Sequence, residues 1–253
     1  KTTYVISVSA TNPSGVSAAK QTRALTIAKP AVIGVNYHPM WSSNTASVRK
    51  AMLDKYQAAG VTYVRIDLPW DKIETDGKGI YNTAEIANMD TLINEISAHK
   101  MKVLVMLWEA PVWASGKSSP QWPRYGLLSA QPKNPADYGN ALAWVANRWG
   151  TKLAGIEMWN EPDDAGFWTS GIVNETKLQR AAAYATLVKG AYPVAKKAAP
   201  ATKFILASPA GIGLADNWFS TLYANGIAGK YDALAVHPYV QPSNVDPDIL
   251  AIT

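Results

Sequence analysis

Cysteine is absent from the 253 residues, which excludes a disulfide framework, a thiol nucleophile and a cysteine-ligated metal site. Histidine is scarce: its three residues lie far apart without ligand spacing, so we expect no metal ion. No run of 18 apolar residues occurs, so no segment is predicted to span a membrane. Lys and Arg number 24 against 19 Asp and Glu, and the excess forms no basic stripe. Nucleic-acid binding is therefore not expected.

Phenylalanine is also rare, with 3 residues against 10 Trp and 12 Tyr. This imbalance favours aromatic faces with polar handles at a surface or cleft. The apolar content of 48% is ample for one large core. The chain opens at Lys1 without a signal peptide, so it is predicted to be a mature or excised piece.

Residues 1–30 differ in pattern from the rest of the chain. Apolar residues alternate through Tyr4, Ile6 and Val8, a turn follows at 12–15, and the alternation resumes, which predicts a β-hairpin. The segment resembles the last two strands of a fibronectin type III domain, with Tyr4 placed like the corner tyrosine of that fold. Such a sandwich needs about 100 residues, so the remainder is expected upstream.

From residue 31 to 253 the pattern becomes strand, loop, helix, repeated. Six strands are predicted, at 31–37, 61–68, 101–108, 152–160, 203–208 and 231–239. The helices that follow the first five are predicted at 45–60, 82–100, 134–150, 175–199 and 215–226. Apolar strands alternating with helices indicate a parallel α/β fold.

The loops after the strands are long and rich in Trp, Pro and acids, which favours a (β/α)8 TIM barrel. A doubly wound sheet is the second choice, because no glycine-rich phosphate loop follows the first strand. A closed barrel needs eight strands, so two units of roughly 60–80 residues are expected beyond the sixth strand. Residues 31–253 are thus predicted to be a barrel domain truncated after that strand, with two unpaired sheet edges.

The fourth strand ends in the sequence WNEPD, which places an amide and a carboxylate side by side at Asn160 and Glu161. Pro162 disfavours the helical conformation for Glu161 and is predicted to keep it extended. Pro162 also lacks an N–H, so the strand ladder is expected to stop there. Neighbours on a regular strand point to opposite faces, so both residues serve one site only if the strand end bulges or twists.

The barrel resembles the clan of retaining glycoside hydrolases, especially the cellulase-like family 5 and the β-xylosidase-like family 39. The resemblance rests on WNEPD, on VRIDLPW in strand two and on HPY at the end of strand six, in that order. It implies the following roles: Glu161 as general acid/base, Asn160 as the partner of the sugar 2-hydroxyl, Arg65 as the residue that orients the nucleophile, and His237 with Tyr239 as a site pair. No cofactor is implied.

Retaining hydrolysis needs an acid that protonates the leaving oxygen and a second carboxylate about 5–5.5 Å away that attacks the sugar. In this clan the second carboxylate is a glutamate at the end of strand seven, which lies beyond the six predicted strands. We do not assign that role to Glu109 or Asp67. The chain by itself is therefore expected to be inactive.

Each candidate also has a structural interpretation. Arg65 shares strand parity with Asp67, so an ion pair between them in the barrel lumen is an alternative, compatible with the role in catalysis. Glu157 shares parity with Glu161; we interpret it as a structural acid that points into the barrel towards a basic partner. His237 could be a packed histidine at a strand end.

Sugar rings stack on aromatic side chains, so the aromatic residues of the loops are candidate walls of sugar subsites. We expect Trp108, Trp113 and Trp168 to be such walls, with Trp70, Trp159 and Tyr37 as further candidates. The tryptophans within predicted helices are expected to pack in the core.

Three functions remain open from the sequence: a glycoside hydrolase, a glycan-binding barrel without activity, and a structural spacer. The loop tryptophans favour the first two, and the complete acid/base motif favours the hydrolase. The expected partner is a carbohydrate, and the substrate class predicts an extracellular location. Oligomeric state, sugar and linkage are left undefined.

Overall fold

A computed structural model describes residues 32–116, 129–211 and 217–237, and the backbone of residues 3–8 and 21–26. The two N-terminal segments form the predicted hairpin: β1 (Thr3–Val8) pairs antiparallel with β2 (Gln21–Thr26). Its likeness to a fibronectin type III domain, and the domain boundary at residue 30, stay predictions.

The remaining strands form one parallel sheet of six strands in chain order. They are β3 (Gly34–Asn36), β4 (Tyr63–Pro69), β5 (Lys102–Trp108), β6 (Leu153–Met158), β7 (Phe204–Leu206) and β8 (Ala233–Leu234). Sequential parallel neighbours joined by helices give the curved half-barrel that the strand–helix pattern predicts. The predicted α/β barrel architecture is confirmed through the sixth strand.

Helices connect successive strands. They are α1 (Ala46–Ala58), α2 (Trp70–Ile73), α3 (Thr83–Ala98), α4 (Val112–Ser115), α5 (Pro135–Trp149), α6 (Lys177–Ala198) and α7 (Trp218–Ala224). The Thr45 side chain caps α1, whereas the side chain of Asn44 donates to the His38 carbonyl. The one-turn helices α2 and α4 were not predicted. No helix within the described ranges combines the length and apolar character needed to cross a membrane.

The side chains of β4 alternate between the two faces of the sheet. Val64, Ile66 and Leu68 are buried, each stabilising the fold by about 1.5–3 kcal/mol. Arg65 and Asp67 have the opposite parity and are half-buried. Polar side chains of β4 therefore lie on the face that becomes the lumen of a barrel.

Two buried tyrosines fix the carboxyl ends of the strands. The Tyr138 hydroxyl, on α5, donates to the carbonyl of Leu107 at 2.6 Å. The Tyr184 hydroxyl, on α6, donates to the carbonyl of Met158 at 2.6 Å and accepts from the amide of Ala207 at 3.0 Å. The outer helices thus set where β5, β6 and β7 end.

Candidate active site

The backbone after β6 leaves the strand conformation abruptly. Trp159 and Glu161 have φ angles of 89° and 39°, in the left-handed region. Each such residue costs roughly 1–3 kcal/mol, so surrounding contacts must hold it. The prediction of an extended Glu161 is wrong: Pro162 does exclude the right-handed helical region, but the backbone takes the left-handed alternative. This irregularity is the bend that two neighbouring residues need to enter one site.

Arg65 joins β4 to the end of β6. Its Nε donates to Glu157 Oε2 at 2.6 Å and its Nη2 donates to Asn160 Oδ1 at 3.1 Å. The Glu157 side chain is almost fully buried, so its charge depends on this guanidinium. The prediction that Glu157 points inward towards a basic partner is confirmed.

The ion pair of Arg65 is formed with Glu157, and Asp67 contacts a histidine. Asp67 Oδ2 lies 2.5 Å from His38 Nδ1, in the loop after β3. The Arg65–Asp67 ion pair considered from strand parity is therefore replaced by Arg65–Glu157, because Glu157 reaches Arg65 across β5.

His237 follows β8 and contacts the candidate acid. Its Nδ1 lies 2.7 Å from Glu161 Oε1, and its Nε2 lies 4.0 Å from Glu157 Oε1. Glu161 is 8% exposed. The structure therefore brings together Arg65 within β4, Asn160 and Glu161 after β6, and His237 after β8 in one polar network. Tyr239 lies outside the described residues.

Comparison with known families identifies this architecture. The family model for cellulase (glycosyl hydrolase family 5) matches residues 20–207, which is well over half of the chain. The chain belongs to glycosyl hydrolase family 5. Arg65, Asn160 and Glu161 lie inside the matched range, and His237 lies beyond it.

Solved structures show the same fold at low sequence identity. A family 39 glycoside hydrolase from Bacteroides cellulosilyticus WH2 is 22% identical with a TM-score of 0.60, covering 95% of this chain and 46% of its own. An exo-β-1,4-mannosidase from Opitutaceae bacterium strain TAV5 is 15% identical with a TM-score of 0.52, covering 79% and 34%. A family 5 subfamily 18 protein from Streptomyces cattleya, in complex with Manβ1-4GlcNAc, is 14% identical with a TM-score of 0.52, covering 75% and 48%.

The family 5 chain spans less than half the length of each of these three proteins. A comparison with curated proteins finds no match. The family assignment therefore rests on the family model, and the solved structures support the fold.

Three of the predicted sugar-stacking residues are core residues in this family 5 chain. Trp70, Trp159 and Trp168 are 0% exposed. Trp70 donates to Glu74 Oε2 at 2.6 Å, Trp159 donates to the Phe167 carbonyl at 2.7 Å, and the Trp168 ring packs edge-on against Trp159. These rings have no open face, so the prediction that they wall sugar subsites is wrong. Their positions near strand ends suggested a role in sugar binding. Sequence position alone does not show whether a loop covers an indole ring or leaves it exposed.

The other three aromatic candidates retain some exposure to solvent. Trp108, at the end of β5, is 9% exposed, and Tyr37 is 7% exposed with its ring edge-on to Tyr56. Trp113 is half-buried and its indole donates to the Glu74 carbonyl at 2.6 Å. Their role in sugar binding stays a prediction.

A small cavity opens at the ends of β3, β4 and β5. It measures about 180 Å³ and is lined by His38, Pro39, Met40, Trp41, Asp67, Pro69 and Trp108. The Trp41 indole stacks on the His38 ring at 4.6 Å with an interplanar angle of 6°, and Trp41 remains 61% exposed. Neither Trp41 nor His38 is among the site residues predicted from the sequence. Their position was a usable signal, because both lie in a loop that follows a barrel strand.

Glu109, directly after β5, is a second buried acid. It is 9% exposed and has a φ of 59°. Burial, followed by the nearby charge of Asp71, raises the pKa of Glu109 to about 7. Asp71 is also buried, and burial raises its pKa.

Proposed function

We propose that this chain is part of a retaining β-glycosidase that hydrolyses a polysaccharide or oligosaccharide, with Glu161 as general acid/base. The observation that carries the proposal is the contact of His237 with Glu161 at 2.7 Å, within a polar network at the carboxyl ends of parallel strands. Active sites of TIM barrels lie at this end. Membership of glycosyl hydrolase family 5 supports a carbohydrate substrate.

In the first step the Glu161 carboxylic acid gives its proton to the leaving oxygen while a nucleophile attacks the anomeric carbon. In the second step the Glu161 carboxylate takes a proton from water, which displaces the enzyme from the sugar. His237, at Glu161 Oε1, leaves Glu161 Oε2 to face the substrate.

The remaining groups have positioning roles in this proposal. Arg65 holds the Asn160 amide oxygen at 3.1 Å, so the Asn160 amide NH2 is free to donate to the sugar 2-hydroxyl. Arg65 also orients the nucleophile, which we assign to a glutamate on the next strand of the barrel. Tyr239 completes the site pair with His237.

The cavity beside this network is suited to an uncharged sugar unit. Trp41 presents one open indole face, since the other is covered by His38. Trp108 also lines the cavity, and Asp67 supplies carboxylate oxygens that accept from hydroxyl groups. Sugars offer the matching combination of an apolar C–H face and hydroxyl donors. A polysaccharide substrate is consistent with an extracellular location, which is part of this proposal.

The test replaces Glu161 by Ala in the full-length protein. Hydrolysis of a natural β-linked oligosaccharide should fall by about 100- to 10,000-fold, the contribution of a general acid/base. Added azide should restore turnover of an activated aryl glycoside, because that leaving group needs no acid and azide needs no base.

Asp54→Ala is the matched control, since it removes an exposed acid from the outer face of helix α1. It should leave turnover unchanged. Wild-type hydrolysis by Glu161→Ala would refute the role of Glu161. A full-length protein that binds oligosaccharides without cleaving them would instead be a glycan-binding barrel.

A further inference from the structure

We propose that Asp163 is a positioning residue for the acid/base, holding Glu161 in its left-handed conformation by tying three elements together. This inference rests on the proposed function. Asp163 lies two residues after Glu161 and is 4% exposed. The Asp163 carboxylate contacts Ala210 and Lys177, which lie outside the network of Arg65, Asn160, Glu161 and His237.

The Asp163 carboxylate bridges the loop after β6, the loop after β7 and the start of α6. Its Oδ1 accepts from the Ala210 amide at 2.7 Å, and its Oδ2 pairs with Lys177 Nζ at 2.7 Å. The Asp163 carbonyl accepts from Arg180 Nε at 2.8 Å, and Arg180 Nη1 donates to the Glu175 carbonyl at 2.7 Å. Both carboxylate oxygens and the carbonyl of Asp163 are thus engaged.

The other hydrogen bonds of the loop lie within it or run to β5 and the loop after β5, as in the bond from the Trp159 amide to the Leu107 carbonyl at 3.0 Å. The Asp164 amide donates to the Glu161 carbonyl at 3.0 Å, and the Trp159 indole donates to the Phe167 carbonyl at 2.7 Å. Those bonds define the shape of the turn. The bonds of Asp163 connect that turn to β7 and α6, so they define where the turn sits relative to His237.

An unfavourable backbone conformation persists only where its surroundings over-determine it. Pro162 removes the right-handed alternative for Glu161, but extended conformations remain open to it. Without the bridge to Ala210, the turn from 159 to 164 is free to relax towards them. The Glu161 carboxyl group would then leave His237 Nδ1, while the sheet itself stays intact.

The first readout needs no catalysis. The chain has three histidines, so their imidazole ¹⁵N and ¹H NMR signals can be assigned with single His→Gln variants. In Asp163→Ala the His237 signals should shift, because its contact with Glu161 is lost. The His38 and His99 signals should not move, since their partners are Asp67 and Asp54, on other elements.

Two further variants separate positioning from a general loss of stability. Asp163→Asn keeps an oxygen that accepts from the Ala210 amide, and should keep the His237 signals near those of the wild type. Ala210→Pro removes the amide hydrogen from the other side of the same bond, and should shift them as Asp163→Ala does. Ala210→Pro also decides the matter if Asp163→Ala fails to fold.

The second readout is kinetic, in the full-length protein. Asp163→Ala should lower kcat about 10- to 100-fold with little change in KM, since misplacing a catalytic group by about 1 Å costs this much. Folded variants with unmoved His237 signals and unchanged kcat would overturn the proposal. If the His237 signals shift but Glu161→Ala retains activity, the positioning stands and the proposed function falls.

Discussion

Three glutamates near the strand ends are buried to a similar degree but have different surroundings. Glu157 is paired with Arg65, Glu161 contacts His237, and Glu109 lies near the charges of Asp71, Lys72 and Asp67. Burial and the nearby carboxylates raise the pKa of Glu109. The chemistry available to each acid is therefore set by its neighbours, and the residue type alone says little.

Glu109→Gln should reduce the loss of stability as the pH rises. The folded protein holds a proton on Glu109 up to about pH 7, above the ordinary value of 4.5. The wild type therefore loses stability as Glu109 ionises beside Asp71, on the order of 3 kcal/mol between about pH 4 and about pH 8. Glutamine does not ionise, so this loss of stability is absent in the variant.

Urea unfolding of both proteins at about pH 5 and about pH 8 measures this difference. Asp71→Asn is a matched variant that removes the neighbouring charge, and it should also reduce the change in the free energy of unfolding with pH. Equal pH dependence in the wild type and Glu109→Gln would contradict the buried, protonated state of Glu109.

The secondary-structure elements were largely predictable from the sequence, because apolar strands and amphipathic helices leave strong periodic signals. All six barrel strands and the five longer helices were predicted, and Thr45 caps its helix. What escaped prediction depends on three-dimensional context. The left-handed backbone of Glu161 leaves no signal in the sequence, and the burial of Trp70, Trp159 and Trp168 depends on how loops fold over the sheet. The pairing of Arg65 with Glu157 required the register of β4, β5 and β6.

The contact between α5 and α6 depends on glycine. A Cβ atom at Gly139 would lie 2.6 Å from the Ala191 carbonyl oxygen and 2.8 Å from Val194 Cβ. Gly139→Ala should therefore destabilise the protein by about 1–3 kcal/mol through overpacking, despite a gain in helix propensity of about 1 kcal/mol.

Asn140→Ala, on the exposed face of the same helix, is the matched control and should be neutral or slightly stabilising. Denaturant unfolding of both variants gives the comparison. A gain in stability for Gly139→Ala would mean that the two helices separate at no cost.

At one end of the half-barrel lie the polar network, the small cavity and the loops that follow the strands. The two outermost strands, β3 and β8, are three and two residues long, and short edge strands offer little template for pairing with other chains. Our proposal places the acid/base after β6 and the nucleophile on a further strand, so binding and cleavage can be tested separately in this chain.

We predict that the 253-residue chain binds β-linked oligosaccharides but does not hydrolyse them. Calorimetric titration with β-1,4-linked trisaccharides of glucose, mannose and xylose measures binding, and release of reducing ends measures cleavage. Trp41→Ala should weaken binding about tenfold or more, because it removes the one exposed face of the cavity. Robust cleavage by the wild-type chain would show that the attacking carboxylate lies within it.

The hydroxyl of Tyr184 links the ends of β6 and β7 from outside the sheet, because helix α6 carries it. One side chain of an outer helix therefore holds the ends of two neighbouring strands. A shift of α6 along its axis would move both strand ends in the same direction. Substitutions on the outward-facing surface of α6 are thus a way to displace the loops after β6 and β7 without changing any residue of the polar network.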